Sequence, residues 1–373
     1  MYILAAIAIL QGIFTLVDGI RAARHMRRFR PRRVSSERVV VFCPCKGTDP
    51  EFEKNIQSIL NQDYPNYHAQ FIVESERDPA YFALRALGAD VLVAGMATSR
   101  GQKVHNLAYA VERCVAADVF VFCDSDARFP SDWLKHLLAP LEPMKMTTGY
   151  RWYVAARLRF ATLMRSAWNA SSVSVLGDHE RNFAWGGSTA IHRETFRRLS
   201  VLDSWRGSVS DDYSITRTAQ RAGVRIVFVP ECLVPSYGEC SLRELLEFTT
   251  RQIIITRVYH PTLWWIGFAG HIIFKAAFWI LPFAHPGLWF SVYALSVAKS
   301  WIRYRAVTTV LPPPALSRYG WFYILSSPLV ALLYVYNMIA SALSTEIVWR
   351  DIHYKLVSPN ETRVFGGSGV NEN

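Results

Sequence analysis

Between residues 38 and 124 short apolar runs alternate with stretches of helical spacing, and this limits the folds open to the chain. RVVVFCP (38–44), HAQFIVES (68–75), ADVLVAG (89–95) and ADVFVFCD (117–124) read as strands. DPEFEKNIQSILNQ (49–62), PAYFALRALG (79–88) and KVHNLAYAVERC (103–114) read as the helices between them. In the first helix Phe52, Ile56, Ile59 and Leu60 share a face, with Asp49-Pro50 as cap and first turn. Gly88 closes the second. Strands alternating with helices of about ten residues form βαβ units, so the expectation is an α/β domain with a mostly parallel sheet and helices on both faces. Such sheets bind ligands beyond the carboxyl ends of their strands. Asp124-Ser125-Asp126 stands at one of those ends.

The chain as a whole is too apolar for an ordinary cytosolic enzyme: 51% of its residues are hydrophobic, 12 are Trp, and mean hydropathy is +0.11. MYILAAIAILQGIFTLVDGI runs directly into RAARHMRRFRPRR (21–33), which carries much of the net charge of +11. Arginines flanking an apolar stretch are a topology signal, and no nucleic-acid partner is expected. The charge comes after the apolar stretch and no small-x-small cleavage site is evident, so the segment reads as an uncleaved anchor. The positive-inside rule then places the N-terminus outside and the chain beyond residue 21 in the cytoplasm. Apolar character returns at 262–283, 286–301 and 320–344. The first and third are long enough to span a bilayer. Lys299, Arg303, Arg305 and Arg318 mark a cytoplasmic loop after the second. Arg350 and Lys355 put the C-terminus inside, which requires an even number of crossings after the domain. Either the third segment is re-entrant, broken near Pro328, or one segment is interfacial. His271 and Lys275, one turn apart in the first of these spans, are expected to face a protein interior or cavity. The six cysteines form no C-x-x-C pair or Cys/His cluster, and reduced structural thiols are expected. The Gly/Ser/Asn-rich FGGSGVNEN (365–373) reads as disordered.

Three stretches carry chemistry. The two carboxylates of Asp124 and Asp126 can hold Mg2+ or Mn2+, or they can be a surface turn built from turn-forming residues. No G-x-x-x-x-G-K-[ST] and no G-x-G-x-x-G occurs, so a bound nucleotide would rely on metal and acidic side chains. Asp211-Asp212 opens a helix capped by Ser210, where acids are favoured by the helix dipole and where a general base can also stand. FAWGGSTAIHRETF (183–196) sets Trp185, an aromatic able to stack on a sugar ring, before Gly186-Gly187-Ser188. It reads as a close approach of ligand to backbone, or as an ordinary turn.

In order along the chain, CPCKGTDPEFEKNIQSILNQDYP (43–65), SERDPA (75–80), RGQKVHNL (100–107), FCDSDARFP (122–130), WGGSTAIHR (185–193), SDDYSITRTAQRAG (210–223) and IVWRDIHYKL (347–356) resemble a membrane-bound, family 2-type inverting glycosyltransferase of the GT-A fold. The ceramide glucosyltransferases are the nearest branch. K-G-x-D-P and D-Y-P are the phrases most specific to it. The resemblance implies a GT-A, Rossmann-like domain over 34–240. Around it would lie an anchor and basic collar at 1–33, an interfacial helix at 241–261, transmembrane helices over 262–346 and a tail from 347 to 373.

It also implies roles. Asp124 and Asp126 would carry a divalent cation and the donor diphosphate. Glu76 and Asp78 fall where the family places acids near base and ribose, and Lys103 would contact the donor. Asp212 aligns with the general base, with Asp211 its neighbour. Trp185, Gly186, Gly187 and Ser188 would line the sugar and acceptor pocket. Relatives carry Q/R-x-x-R-W on the interfacial helix. Here FTTRQIIITRVYHP (248–261) has Gln252 in place but lacks the Arg-Trp pair, with Arg251 and Arg257 the nearby cations. Arg257 is the candidate for the diphosphate contact. The implied reaction moves a hexose from a UDP-hexose, glucose above all, to a membrane lipid hydroxyl such as that of ceramide. Other acceptors (diacylglycerol, hopanoid, polyprenyl phosphate or polysaccharide) and a non-catalytic membrane scaffold are the alternatives. The implied setting is a multi-pass protein of a bacterial inner membrane, its catalytic domain cytoplasmic.

Overall fold

A computed structural model of the chain describes residues 1–31, 33–311 and 317–365, and the expected disorder from 366 onward lies outside them. The chain divides into two compact units, each assembled from three separate segments. One comprises Arg30–Arg151, His179–Tyr237 and the strands from Glu346. The other comprises Met1–Phe29, Trp152–Asp178 and Gly238–Thr345. The expected bounds are a domain over 34–240 and a separate tail from 347. The contacts instead give 152–178 to the helical unit and the tail strands to the sheet unit.

The sheet unit is built on β1 (Val39–Pro44), β2 (Tyr67–Val73), β3 (Asp90–Val93), β4 (Val119–Cys123), β5 (Lys145–Val154), β6 (Ser188–His192) and β7 (Arg225–Tyr237), in the order β3-β2-β1-β4-β6-β5-β7. The first four run parallel, with Val41 facing both Ala69 and Val121. β6 turns antiparallel to β4, setting Cys123 against Ser188, and β5 pairs antiparallel with β6. The result is a mostly parallel seven-stranded sheet accompanied by helices, as the strand–helix alternation leads one to expect. β4 is buried at every position, as a strand covered on both faces must be. On one face Phe42, Phe120, Phe122, Phe196 and Trp205 meet with ring centroids 5.4–6.0 Å apart. Each such pair adds about 0.5–1.5 kcal/mol beyond its buried area. The cluster also reaches the site, since Trp205 Nε1 donates to the backbone carbonyl of Asp211 at 3.2 Å.

The late strands β8 (Glu346–Trp349), β9 (Ile352–Ser358) and β10 (Glu361–Phe365) form an antiparallel sheet of their own. The Tyr354 hydroxyl accepts from Gln102 N at 3.2 Å, and Thr362 Oγ1 donates to the Gly207 carbonyl at 2.7 Å. Gly207 has φ +68°, and a Cβ there would stand 2.1 Å from the Asn360 carbonyl oxygen. Only glycine fits that contact. The β8–β9 turn places both Arg350 and Asp351 at positive φ, 51° and 64°. Arg350 Nη1 and Nη2 bind Asp49 Oδ1 and Oδ2 at 3.0 and 2.7 Å. Asp49 is therefore not the expected cap. The helix runs Phe52–Leu60 from Glu51 with no side-chain cap, and the Asp49 carboxylate is committed to the guanidinium.

In the helical unit, Tyr2–Arg28 and Pro261–Ala284 are long and apolar enough to cross a membrane. Helix Leu242–Tyr259 opens with a full capping box, Ser241 and Glu244. A new helix starts at Pro286 after His285. The third apolar segment is broken. Gly320–Leu325 ends before Ser326, and Ser327–Leu343 restarts with Pro328 in its first turn. A proline there has no N–H to lose and still prevents the preceding helix from continuing. The second piece has 17 residues, short of the ~20 a perpendicular span requires.

Candidate active site

β4 carries its apolar run into the sheet and releases Asp124, Ser125 and Asp126 past its carboxyl end. The loop is pinned from several sides. Asn55 Nδ2 donates to the Ser125 carbonyl at 3.2 Å, and Arg128 N donates to the Pro235 carbonyl at 2.9 Å. Arg128 also binds Glu51 at 2.6 Å. Two cations meet the paired acids. Lys103 Nζ lies 2.8 Å from Asp124 Oδ1 and 3.2 Å from Asp211 Oδ1. Arg151 reaches Asp124 Oδ2 at 2.5 Å and Asp126 Oδ2 at 2.8 Å, with its guanidinium carbon 4.7 Å above the Trp185 ring. Asp126 Oδ1 is buried and has no hydrogen-bond partner among the described residues.

Lys103 comes from helix Gln102–Arg113, and Asp211 and Asp212 open helix Asp211–Arg221. Ser210 caps the second helix as expected, accepting from Tyr213 N at 3.1 Å and donating to Asp212 Oδ1. The two acids differ sharply. Asp211 is 4% exposed, whereas Asp212 is half-buried. Asp212 Oδ1 also accepts from Tyr213 N at 2.8 Å, and no hydrogen bond to Oδ2 occurs among the described residues. Gly186 lies against this group. A Cβ there would stand 2.1 Å from Asp211 Oδ2 and 2.8 Å from Lys103 Nζ.

Charge balance explains the titration of the cluster. Burial pushes the Asp211 carboxyl up, Lys103 opposes it, and the neighbouring charges of Asp212 and Asp124 add to the rise, leaving it at about 6. Asp124 is also buried, but Lys103 and Arg151 outweigh that and hold it below its ordinary value. Burial alone would lower the Lys103 ammonium, yet Asp124, Asp211 and Asp212 together raise it well above its ordinary value. Burial likewise opposes the charge of Arg350, but its pair with Asp49, and beyond that Asp126 and Asp124, raise it.

The structure thus brings Lys103, Asp124, Asp126, Asp211, Trp185 and Gly186 together, with Asp212 beside Asp211. Other expected residues have different surroundings. Asp78 is buried, and its Oδ1 caps helix Pro79–Ala86 through Ala80 N and accepts from Gly47 N, both at 2.8 Å. Glu76 is exposed. Ser188 is fully buried and accepts from Trp133 Nε1 at 2.8 Å. Gln252 and Arg257 belong to helix Leu242–Tyr259 of the helical unit. Arg257 there donates to the carbonyls of Ala342 and Ser344, each at 3.2 Å. Sequence reasoning missed Arg151 as a site residue. The one available signal was a cation inside KMTTGYRWYV, an otherwise uncharged strand after its first residue. It also read Arg350 only as a topology marker.

The chemistry of the donor set suits a hard divalent cation. Asp124 and Asp126 carry carboxylate oxygens of the kind such a cation takes, and Asp126 Oδ1 has no hydrogen-bond partner, but no cluster of three metal-ligating side chains occurs among the described residues. Arg151 brings positive charge to both carboxylates.

The sequence model described as Glycosyl transferase family 21 matches residues 1–362. The chain belongs to that family. A stretch of 86 residues of this family 21 glycosyltransferase is 33% identical to the ceramide glucosyltransferase of Komagataella phaffii, covering 23% of this chain and 16% of that protein. Among solved structures, a mannosyltransferase of Pyrobaculum calidifontis in complex with GDP-Man and Mn2+ matches with TM-score 0.49 and 20% identity, over 91% of this chain and 98% of its own. Glucosyl-3-phosphoglycerate synthase of Mycobacterium tuberculosis, with Mn2+ and UDP-glucose, matches with TM-score 0.40 and 18% identity, over 60% of this chain and 79% of its own.

Proposed function

We propose that this family 21 protein transfers glucose from UDP-glucose to the hydroxyl of a membrane lipid, ceramide, in one inverting displacement assisted by Mg2+ or Mn2+. One observation carries the reading: four aspartates and two cations converge past the carboxyl end of β4, around a glycine that leaves no space for a side chain. Asp124 and Asp126 would hold the cation, which when bound neutralises the departing diphosphate. Lys103 and Arg151 are held by the same carboxylates and add positive charge where the leaving group gains negative charge. Asp212 is the general base. Its Oδ1 is fixed by Ser210 and the Tyr213 N–H, leaving Oδ2 to take the proton of the acceptor hydroxyl. The acceptor oxygen then bonds to the anomeric carbon from the face opposite the breaking bond to phosphate. Asp211, buried against Lys103, is a positioning residue.

Glu76 and Asp78 are assigned to the nucleoside, and Trp185, Gly186 and Gly187 to the walls of the sugar pocket, backed by the fully buried Ser188. The helical unit anchors the enzyme in a bacterial inner membrane by several crossings, its catalytic unit in the cytoplasm. Transfer of labelled sugar from a panel of UDP-sugars to a panel of lipids, with and without a chelator, tests this. Glucosylceramide of inverted anomeric configuration is expected, lost with chelator and in Asp212→Asn. No transfer from any sugar nucleotide, or full activity in the variant, overturns the mechanism. A second acceptor lipid is the alternative within the same chemistry, favoured by the absence of Arg-Trp after Gln252. The lipid panel separates the two.

A further inference from the structure

The chain's own cations hold most of the oxygens assigned above to a metal. Lys103 takes Asp124 Oδ1, and Arg151 takes Asp124 Oδ2 and Asp126 Oδ2. Of the four oxygens of this pair, Asp126 Oδ1 alone has no hydrogen-bond partner among the described residues. Arg151 is placed to keep what it holds. Its side chain is 12% exposed, and its two terminal nitrogens bridge the two carboxylates. Its guanidinium carbon lies 4.7 Å from the centre of the Trp185 ring. That ring packs closely on the backbone of Gly187, where a Cβ would stand 2.1 Å from Trp185 Cζ2. No third metal-ligating side chain joins the pair among the described residues.

A divalent cation arriving by itself needs those same oxygens. It must first break a bridging, charge-assisted pair, which is among the stronger contacts a protein makes. It then leaves Arg151 beside it as an unpaired like charge with little solvent to compensate, which is strongly unfavourable. Two carboxylates also complete only part of the shell of a hard cation. A nucleoside diphosphate removes both obstacles. A guanidinium matches phosphate as well as it matches carboxylate, so the phosphates can accept Arg151 as it leaves the aspartates. Their other oxygens are ligands of the kind that finish the shell of Mg2+ or Mn2+.

We infer that Arg151 guards the Asp124–Asp126 pair: it holds these carboxylates against free divalent ions and releases them when a nucleoside diphosphate takes its guanidinium, so that cation and nucleotide bind as a coupled pair. The inference rests on the metal- and diphosphate-using site proposed above. The Trp185 ring keeps the guanidinium over the crevice as it changes partners. Coupling between two ligands is reciprocal, so each raises the affinity for the other by the same factor.

The test uses the full chain in detergent micelles, with free Mn2+ read by electron paramagnetic resonance and no sugar donor or acceptor present. In the parent, saturating UDP is expected to tighten Mn2+ binding by roughly 10–100-fold, within the usual range of coupling between sites. Arg151→Gln should bind Mn2+ alone roughly tenfold tighter than the parent does and should lose most of the enhancement by UDP. Arg151→Lys keeps the charge but not the bridge and should fall between the two. Adding Asp126→Asn to Arg151→Gln should abolish the tight binding, which places the ion on that carboxylate. Thermal unfolding gives a second reading: Mn2+ alone should raise the Tm of Arg151→Gln and not that of the parent. That transition also shows that the variant folds. Mn2+ binding in Arg151→Gln no tighter than in the parent, parent binding that UDP leaves unchanged, or an undiminished UDP enhancement in the variant overturns the inference while leaving the proposed reaction standing. Mn2+ bound by neither protein, even with UDP, overturns the metal reading of the site and this inference with it.

Discussion

Asp211→Asn should make the protein more stable and less active, and pH should reveal why. Asn keeps the shape of the side chain against Gly186 and Lys103 while removing the charge. In the folded state burial and the neighbouring carboxylates raise Asp211 from 3.8 to about 6, despite the Lys103 pair. The native protein therefore binds more protons than the unfolded chain between those two values. The stability conferred by a neutral Asp211 is complete below the unfolded value of 3.8 and is lost as pH rises through about 6. At about 1.4 kcal/mol per pH unit, the ionised group costs about 3 kcal/mol above that range. Asp211 is 4% exposed, so solvent screening takes little from this figure. Asp124 titrates in the opposite sense, but it is present in both proteins and largely cancels. The variant should thus match the parent near pH 4 and exceed it by up to about 3 kcal/mol at pH 8, roughly 6–12 °C in Tm for a unit of this size. Lys103 keeps Asp124 at 2.8 Å and remains anchored. Thermal unfolding of both proteins from pH 4 to pH 8 is the assay. A variant less stable than the parent at pH 8, or a difference that stays flat across the range, refutes the reasoning.

Three further outcomes are expected. Gly186→Ala inserts a Cβ 2.1 Å from Asp211 Oδ2, so it should displace Asp211 and Lys103 and lower kcat/KM about 100-fold, read in steady-state transfer assays. Arg350→Gln breaks a partly exposed pair, so its effect on stability should stay within about 1 kcal/mol, measured by thermal unfolding. Isothermal titration should nevertheless show a weaker affinity for UDP, because the cation lies in the field of Asp124 and Asp126. Trp133→Phe strips the fully buried Ser188 hydroxyl of its donor and should cost about 1–3 kcal/mol, measured as a lowered Tm.

Residues whose local sequence carries their reason were legible in advance. The parallel strands show as apolar runs, and Asp124 and Asp126 stand out because they end one abruptly. Ser210 reads as a cap because a capping oxygen needs only the next three residues. Pro328 betrays the break in the third apolar segment. The residues that escaped depend on distant partners. Arg151 neutralises Asp124 and Asp126 from a strand two places away in the sheet, a contact that no spacing encodes. Asp49 is an acid before a helix and reads as its cap, yet Arg350, three hundred residues later, takes its carboxylate. Helix Phe160–Val173 has an apolar face that suits a soluble or a membrane neighbour equally, so its place in the helical unit was hidden.

The strands β8–β10 have a consequence for how the protein is made. They complete the sheet unit, bracing the start of the Lys103 helix and the loop before Asp211, but they leave the ribosome after every apolar helix. The early strands must wait, incompletely supported, while all the later helices are made. A chain cut short after the last apolar helix would carry all four site aspartates and still lack the brace that sets their geometry. Catalytic competence is thereby tied to completed synthesis of the chain. Truncated or stalled chains should fail in transfer even where their helices have folded.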